Sequence, residues 1–412
     1  MKLSCRLVVT GAVALALASS AFGQTYTQLA ELTGTQSGDG FGDSIAISGN
    51  TMVVGVPLAS DVCENCGAAY VYAMVNGDWA NLVQVATLRQ SSGQTMLGGF
   101  GYPVAISQGT IVVGGYDAQT EQSAAYVYVN PSGNVAQTAE LTTSDTDGGI
   151  NSIAIDGGTI VFGIADFHGA PYAAAFVYVE PQTGWADMTQ TAELVSKDLD
   201  GGDFGVSVAV SGRNIAVGAP AVKIGSVRQG AAYLFEEPGA GWRGIWSPTV
   251  KFEASNGTRN AGFGTSVSVS GDTVAVGAPD EAVGSFDNEG AIYIFTRPSS
   301  GWSRTMTEIA ELTGAKAGSL LGYSVALSGK TLLAGAPYED IGAGLADVFR
   351  EPSDGWQGSQ AILISASDGS EGNYFGRCVS IDGGVLAASA PAWPNGIPLE
   401  ADGAVYVFGK NQ

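Results

Sequence analysis

Apolar and polar residues alternate with a period of two in short bursts along this chain, and the bursts recur. In residues 263–279, FGTSVSVSGDTVAVGAP, Val267 and Val269 alternate with serines, and Val274 and Val276 with small residues. β-Branched residues in that alternation predict two strands. Gly271-Asp272, between Ser270 and Thr273, predicts a two-residue turn in which Gly supplies the positive φ at little cost. Pro279 ends the second strand, because it has no N–H to give to a ladder.

Seven versions of this hairpin occur, at residues 41–57, 100–116, 149–165, 204–220, 263–279, 321–337 and 375–391, with starts 49 to 59 residues apart. The third, GINSIAIDGGTIVFGIA, lacks the leading Phe-Gly. A polar loop of variable length follows each, then a third strand with small residues before aromatics. Examples are AAYVY at 68–72 and 124–128, AAFVY at 174–178, AAYLF at 231–235, AIYIF at 291–295 and AVYVF at 404–408. The sixth unit carries the degraded GLADVF at 344–349. A turn, often Gly-Trp, leads into a fourth strand such as TAEL at 138–141 and 191–194. Four antiparallel strands per unit at this period predict a β-propeller.

The stretch TYTQLAELTG at 25–34 matches TEIAELTG at 307–314, yet no first, second or third strand precedes it. The seventh unit, in turn, stops after its third strand. The N-terminal strand is therefore expected to complete the last blade and close the ring, which removes exposed sheet edges. The expected fold is all-β: a seven-bladed β-propeller of four-stranded antiparallel blades, forming one domain over residues 24–412.

Residues 1–23 read differently. Lys2 and Arg6, an apolar run from Leu7 to Ala18 and then Ala21-Phe22-Gly23 make the pattern of a secretory signal peptide cleaved before Gln24. The apolar run is well short of the roughly 20 residues that span a bilayer. Without Lys2 and Arg6, 15 basic residues remain of 17, against 39 acidic ones. That excess excludes nucleic acid and an anionic membrane surface as electrostatically favoured partners. Of the cysteines beyond the leader, Cys63 and Cys66 are placed for a disulfide within the loop between the second and third strands of the first unit, in keeping with an oxidising compartment. A redox pair would need a βαβ context that is missing. Cys378 reads as a packed free thiol.

With Phe-Gly at one end of the hairpin and Gly-Ala-Pro at the other, the repeats resemble FG-GAP repeats, the propeller units of integrin α-subunits. They are more similar still to the short FG-GAP repeats of bacterial secreted and surface proteins, with their SGDTVAVGAP core. The resemblance implies an extracellular seven-bladed propeller used in adhesion or ligand recognition; it implies no particular ligand. Integrin-type repeats often carry a calcium loop between the first and second strands. Here that connection is only Gly49-Asn50, Gly212-Arg213, Gly271-Asp272 or Gly329-Lys330, too short to supply six to eight oxygens. Calcium at that place is not carried over.

Strand alternation puts the loops before each Phe-Gly and after each Gly-Ala-Pro on one face, and the tight turns on the other. The loop-rich face is where recognition is expected. One loop there, Asp198-Leu199-Asp200-Gly201-Gly202-Asp203, has carboxylates at alternate positions that can converge on a hard cation, so calcium is the one cofactor left open. Its simpler reading is a solvated acidic turn. Asp280, Glu281, Asp287 and Glu289 form a second acidic loop, read as solvent-facing by default. Tyr116, Phe167, His168, Tyr338 and Trp393 follow the second strands at non-equivalent positions, and with Asp280 and Asp287 they are the candidate ligand-binding residues. Trp79, Trp185, Trp242, Trp302 and Trp356 share one turn position and read as blade packing.

His168 is the only histidine, and no H-E-x-x-H, G-x-S-x-G or phosphate loop occurs. No catalytic residue is assigned. The expected function is a secreted or cell-surface propeller that binds an extracellular glycan or protein, without catalysis or membrane insertion. The alternatives are a secreted lyase or hydrolase acting on polysaccharide, and a structural protein of an envelope or matrix.

Overall fold

The computed structural model describes residues 25–36, 38–90, 99–117, 122–133, 135–143, 149–164, 174–197, 202–284, 287–314, 318–391 and 402–411. They form seven antiparallel sheets, a small hairpin and one short helical turn at Glu339–Gly342. The innermost strands of the sheets are Ile45–Ser48, Val104–Ser107, Ile150–Asp156, Ser207–Ser211, Ser266–Ser270, Ser324–Ser328 and Val379–Asp382. Each packs against the innermost strand of the next sheet, and that of the seventh returns to that of the first. The sheets are thus the blades of a closed seven-bladed propeller, and each innermost strand opens one hairpin motif.

Closure happens as the sequence predicts. Tyr26–Thr33 pairs antiparallel with Ala404–Lys410, and the last blade runs Tyr26–Thr33, Ala404–Lys410, Val385–Ala390, Val379–Asp382 from rim to axis. The degraded GLADVF segment still makes a regular third strand, Leu345–Arg350. Three outer edges are covered in a way the repeats do not announce. Met188–Thr189, Gly244–Trp246 and Thr305–Met306 each add in parallel to the outer strand of the preceding blade. An added strand occupies N–H and C=O groups that would otherwise template aggregation.

The cores lie between blades. One joins Val250 and Phe252 of the fourth blade to Val267, Val274 and Val276 of the fifth, and six others fill the remaining junctions. Middle strands are buried on both faces, so Asn214–Ala219 and Thr331–Ala336 read as continuous burial rather than alternation. Trp79, Trp185, Trp242 and Trp356 are buried in these junctions and Trp302 packs edge-on against Phe252, so the shared tryptophan position is packing.

Two rings of hydrogen bonds explain the constant letters of the motif. On the tight-turn face, the residue before the two-residue turn accepts an N–H from the next blade's turn. Ser48 accepts from Gln108 (3.2 Å), Ser107 from Gly157 (3.1 Å), Asp156 from Gly212 (2.7 Å), Ser211 from Gly271 (3.2 Å), Ser270 from Gly329 (3.0 Å) and Asp382 from Gly49 (2.6 Å). On the opposite face, the Ser of Phe-Gly-x-Ser donates to the carbonyl of the next Phe-Gly. Ser152 reaches Gly205, Ser207 reaches Gly264, Ser266 reaches Gly322 and Ser324 reaches Gly376, at 2.6 to 3.1 Å. The blades approach so closely there that a Cβ on Gly218 would lie 2.0 Å from the Gly264 oxygen, which is why the second strand ends in Gly-Ala-Pro.

Candidate functional site: the axial mouth

The residue after each Phe-Gly is the variable letter of the motif. Around the ring it is Asp43, Tyr102, Asn151, Val206, Thr265, Tyr323 and Arg377. Its backbone is fixed from both sides. The preceding glycine N–H bonds to its own second strand, as Gly42 to Gly55 and Gly376 to Ser389. The variable residue's own N–H closes a turn on the residue three before it, as Asp43 on Gly40, Tyr102 on Gly99, Tyr323 on Leu320 and Arg377 on Tyr374. These positions begin the innermost strands, so they surround the axis on the loop-rich face.

Four of the seven side chains come within electrostatic reach of one another. The Arg377 guanidinium stands 5.7 Å from the centre of the Tyr323 ring, within cation–π range. Tyr102, from the second blade, comes within electrostatic reach of Asp43, Tyr323, Arg377 and Cys378, from the first, sixth and seventh blades. Its hydroxyl end is crowded enough that burial pushes it up to about 12, while the residue as a whole stays 47% exposed. Tyr102 is thus part exposed at the axial end of the second blade. Burial raises Asp43 to about 6; Arg377 pulls it down and Asp39 pushes it up. The Asp43 Oδ1 is buried with no hydrogen-bond partner among the described residues. Burial also lifts the Cys378 thiol to about 11, which makes it a poor nucleophile.

Asp39 supports this corner. Buried and raised to about 6 chiefly by burial, it accepts the Phe41 N–H at 2.9 Å and so holds the first Phe-Gly in place. Acceptor, cationic donor and two aromatic faces around one opening can bind a polar ligand.

The residues singled out from sequence are distributed differently. Phe167, His168, Trp393, Asp198 and Asp200 lie outside the described residues, as does the side chain of Tyr116, and so do residues 1–24. Asp203 faces Arg228 at 3.9 Å. Among the described residues no group of three metal-ligating side chains occurs. Tyr338 packs against Tyr374 with ring centres 5.2 Å apart and planes tilted, and Asp280 and Asp287 are exposed in the fifth-blade loops. None of these three touches the axial mouth by any described contact. The solvent-facing reading of the second acidic loop needs correcting: Glu281 is fully buried and Glu289 nearly so. Glu281 accepts the Thr258 N–H with both oxygens, at 3.2 and 3.1 Å, which replaces the water an exposed carboxylate would keep. Cys63 and Cys66 are bonded to each other, with Cα atoms 5.5 Å apart, and Cys378 is free.

Motif reading missed the mouth because it looked for chemistry in the loops beyond Gly-Ala-Pro. The usable signal was the alignment of the seven copies: between a Phe-Gly kept in five of them and a Ser kept in five, one position runs Asp, Tyr, Asn, Val, Thr, Tyr, Arg.

The FG-GAP repeat family model matches residues 26–72, 188–235, 246–295 and 358–408. Each match starts near the outer strand of one blade and ends in the third strand of the next, so the sequence repeat is offset from the structural blade. That offset is why the N-terminal strand must close the ring. No curated protein matches the chain. With four stretches matched and all seven copies folded as blades of one closed ring, the chain belongs to the FG-GAP repeat β-propellers.

Proposed function

We propose that the protein is a secreted or cell-surface recognition propeller that binds an extracellular glycan or protein through its loop-rich face, centred on the axial mouth. The observation that carries this reading is the convergence of Asp43, Tyr102, Tyr323 and Arg377 from four blades at the one motif position free to vary. Structural need does not account for that choice, because the neighbouring blades fold with Val206 and Thr265 in the same slot. The leader-like residues 1–23 and the bonded Cys63–Cys66 pair support an oxidising, extracytoplasmic destination.

The test is a screen of the protein against immobilised glycans and secreted proteins, with Arg377→Ala and Tyr102→Ala in parallel. The proposal expects a ligand whose binding both substitutions weaken while the melting temperature stays near wild type. A ligand bound equally well by both variants would move the site elsewhere. Turnover of a bound polysaccharide would instead make the protein an enzyme.

A further inference from the structure

The chemistry of the axial mouth narrows the ligand, on the footing that the mouth is the recognition site. The Arg377 charge acts on Asp43 and favours its ionised form, so the two charges compensate locally. A net charge of −22 over the chain opposes polyanions on approach. A cationic ligand meets Arg377 already over the Tyr323 face that would attract it. The arrangement thus selects against both signs of charge.

What remains unsatisfied is polar and directional. The Asp43 Oδ1 has no hydrogen-bond partner among the described residues, the Arg377 guanidinium stands over the Tyr323 ring, and Tyr102 is half exposed. A peptide would look for main-chain N–H groups on the innermost strands. Several of these are already taken by serines of neighbouring blades: Ile47 by Ser380 at 3.1 Å, Val104 by Ser44 at 2.9 Å and Leu327 by Ser268 at 3.0 Å. We infer that the axial mouth binds a terminal residue of a neutral saccharide, with Arg377 donating to and Asp43 accepting from adjacent hydroxyls while the Tyr102 ring packs on the face of the sugar. Fork-shaped donors and carboxylate acceptors suit paired hydroxyls, and an aromatic face suits the C–H side of a pyranose.

The test is calorimetric titration of the full secreted protein with methyl glycosides of glucose, galactose, mannose and N-acetylglucosamine, and with the matching uronic acids. Wild type is expected to bind at least one neutral glycoside more tightly than its acid counterpart, with little dependence on salt. Arg377→Ala and Asp43→Asn are each expected to weaken it by about 10- to 100-fold, the range for hydrogen bonds to charged groups. Tyr102→Ala should weaken it likewise and Tyr102→Phe, which keeps the ring, far less; near-UV circular dichroism checks that each variant is folded. Preference for uronic acids, or neutral-sugar binding that survives all three polar and ring deletions, overturns the inference. Binding of a protein, and of no saccharide, through the same four residues overturns the saccharide assignment while the recognition reading stands. Loss of neither glycan nor protein binding in any variant would sink both.

Discussion

Replacing Gly277 by alanine probes why the second strand of a blade carries glycine where the next blade comes closest. A Cβ there would lie 2.1 Å from the Gly322 carbonyl oxygen and 2.3 Å from the Ser266 Oγ. Neither atom is free to yield. The carbonyl belongs to the sixth blade's Leu-Gly turn, and Ser266 donates to that same oxygen at 2.6 Å. Restoring a carbon–oxygen contact of roughly 3.3 Å requires the fifth and sixth blades to part locally by on the order of 1 Å. Overpacking of this kind costs about 1–3 kcal/mol. Loss of the buried hydrogen bond adds about 1 kcal/mol, for a total of roughly 2–4 kcal/mol. Gly271→Ala is the control. Nothing stands within 4 Å of its Cβ position, and its φ of 58° carries only the left-handed penalty, about 1–2 kcal/mol. Urea unfolding followed by tryptophan fluorescence, compared at constant m, reads both losses. Gly277→Ala should lose clearly more than Gly271→Ala; equal losses would refute the close-approach account.

Three further outcomes follow from the same geometry. Asp347 is buried in the sixth blade's third strand, where burial first and Glu339 second raise it to about 7. The folded state holds that proton more tightly than the unfolded chain, so wild-type stability should fall as pH rises from about 4 to 7 and stay low above it. The displacement from 3.8 corresponds to on the order of 4 kcal/mol; Asp347→Asn should flatten this slope between about pH 4 and 7, and an unchanged slope would show that other groups set it. Ser211→Ala removes the acceptor for the Gly271 N–H and should cost about 1 kcal/mol in the same urea assay, against less than about 0.5 kcal/mol for an exposed serine elsewhere. Replacing Cys63 and Cys66 by serine opens a very short loop and should cost about 2 kcal/mol in the chain-entropy account; no difference between oxidised and reduced wild type would show that the bond contributes nothing.

The blade architecture was legible because its signals are local and repeated. Seven hairpins with their turn glycines, and a stray fourth strand at residues 25–34, suffice to predict a closed ring. Turn type was read less finely. Six turns have positive φ only at the first glycine, such as Gly49 and Gly271, the type II′ pattern, whereas in the second blade both Gln108 and Gly109 are left-handed, as in type I′. The parallel edge strands and the buried Glu281 were not legible, since each depends on which blade lies alongside. The axial cluster was hidden for the same reason. Asp43, Tyr102, Tyr323 and Arg377 are scattered through the chain, and only closure of the first blade on the seventh brings them together.

The last junction also shows what the motif can give up. In the seventh blade Cys378 stands where Ser is usual, and Ser389 replaces the glycine of Gly-Ala-Pro. The hydroxyl has in effect changed strands: Ser389 Oγ now accepts the Cys378 N–H at 3.2 Å, and the Cys378 thiol points to the Ile45 carbonyl at 4.0 Å. Ser389 carries a Cβ at the position where, at five other junctions, a Cβ would lie 1.8 to 2.1 Å from the next blade's carbonyl, so the seventh and first blades meet differently there. Letters of the motif can therefore be exchanged when their hydrogen bonds and volumes are exchanged together. The residue after Phe-Gly is under no such pairing. At Asp43, Tyr102, Tyr323 and Arg377 main-chain bonds hold the residue in its turn, and Val206 in the same slot shows that the blade folds around very different side chains there.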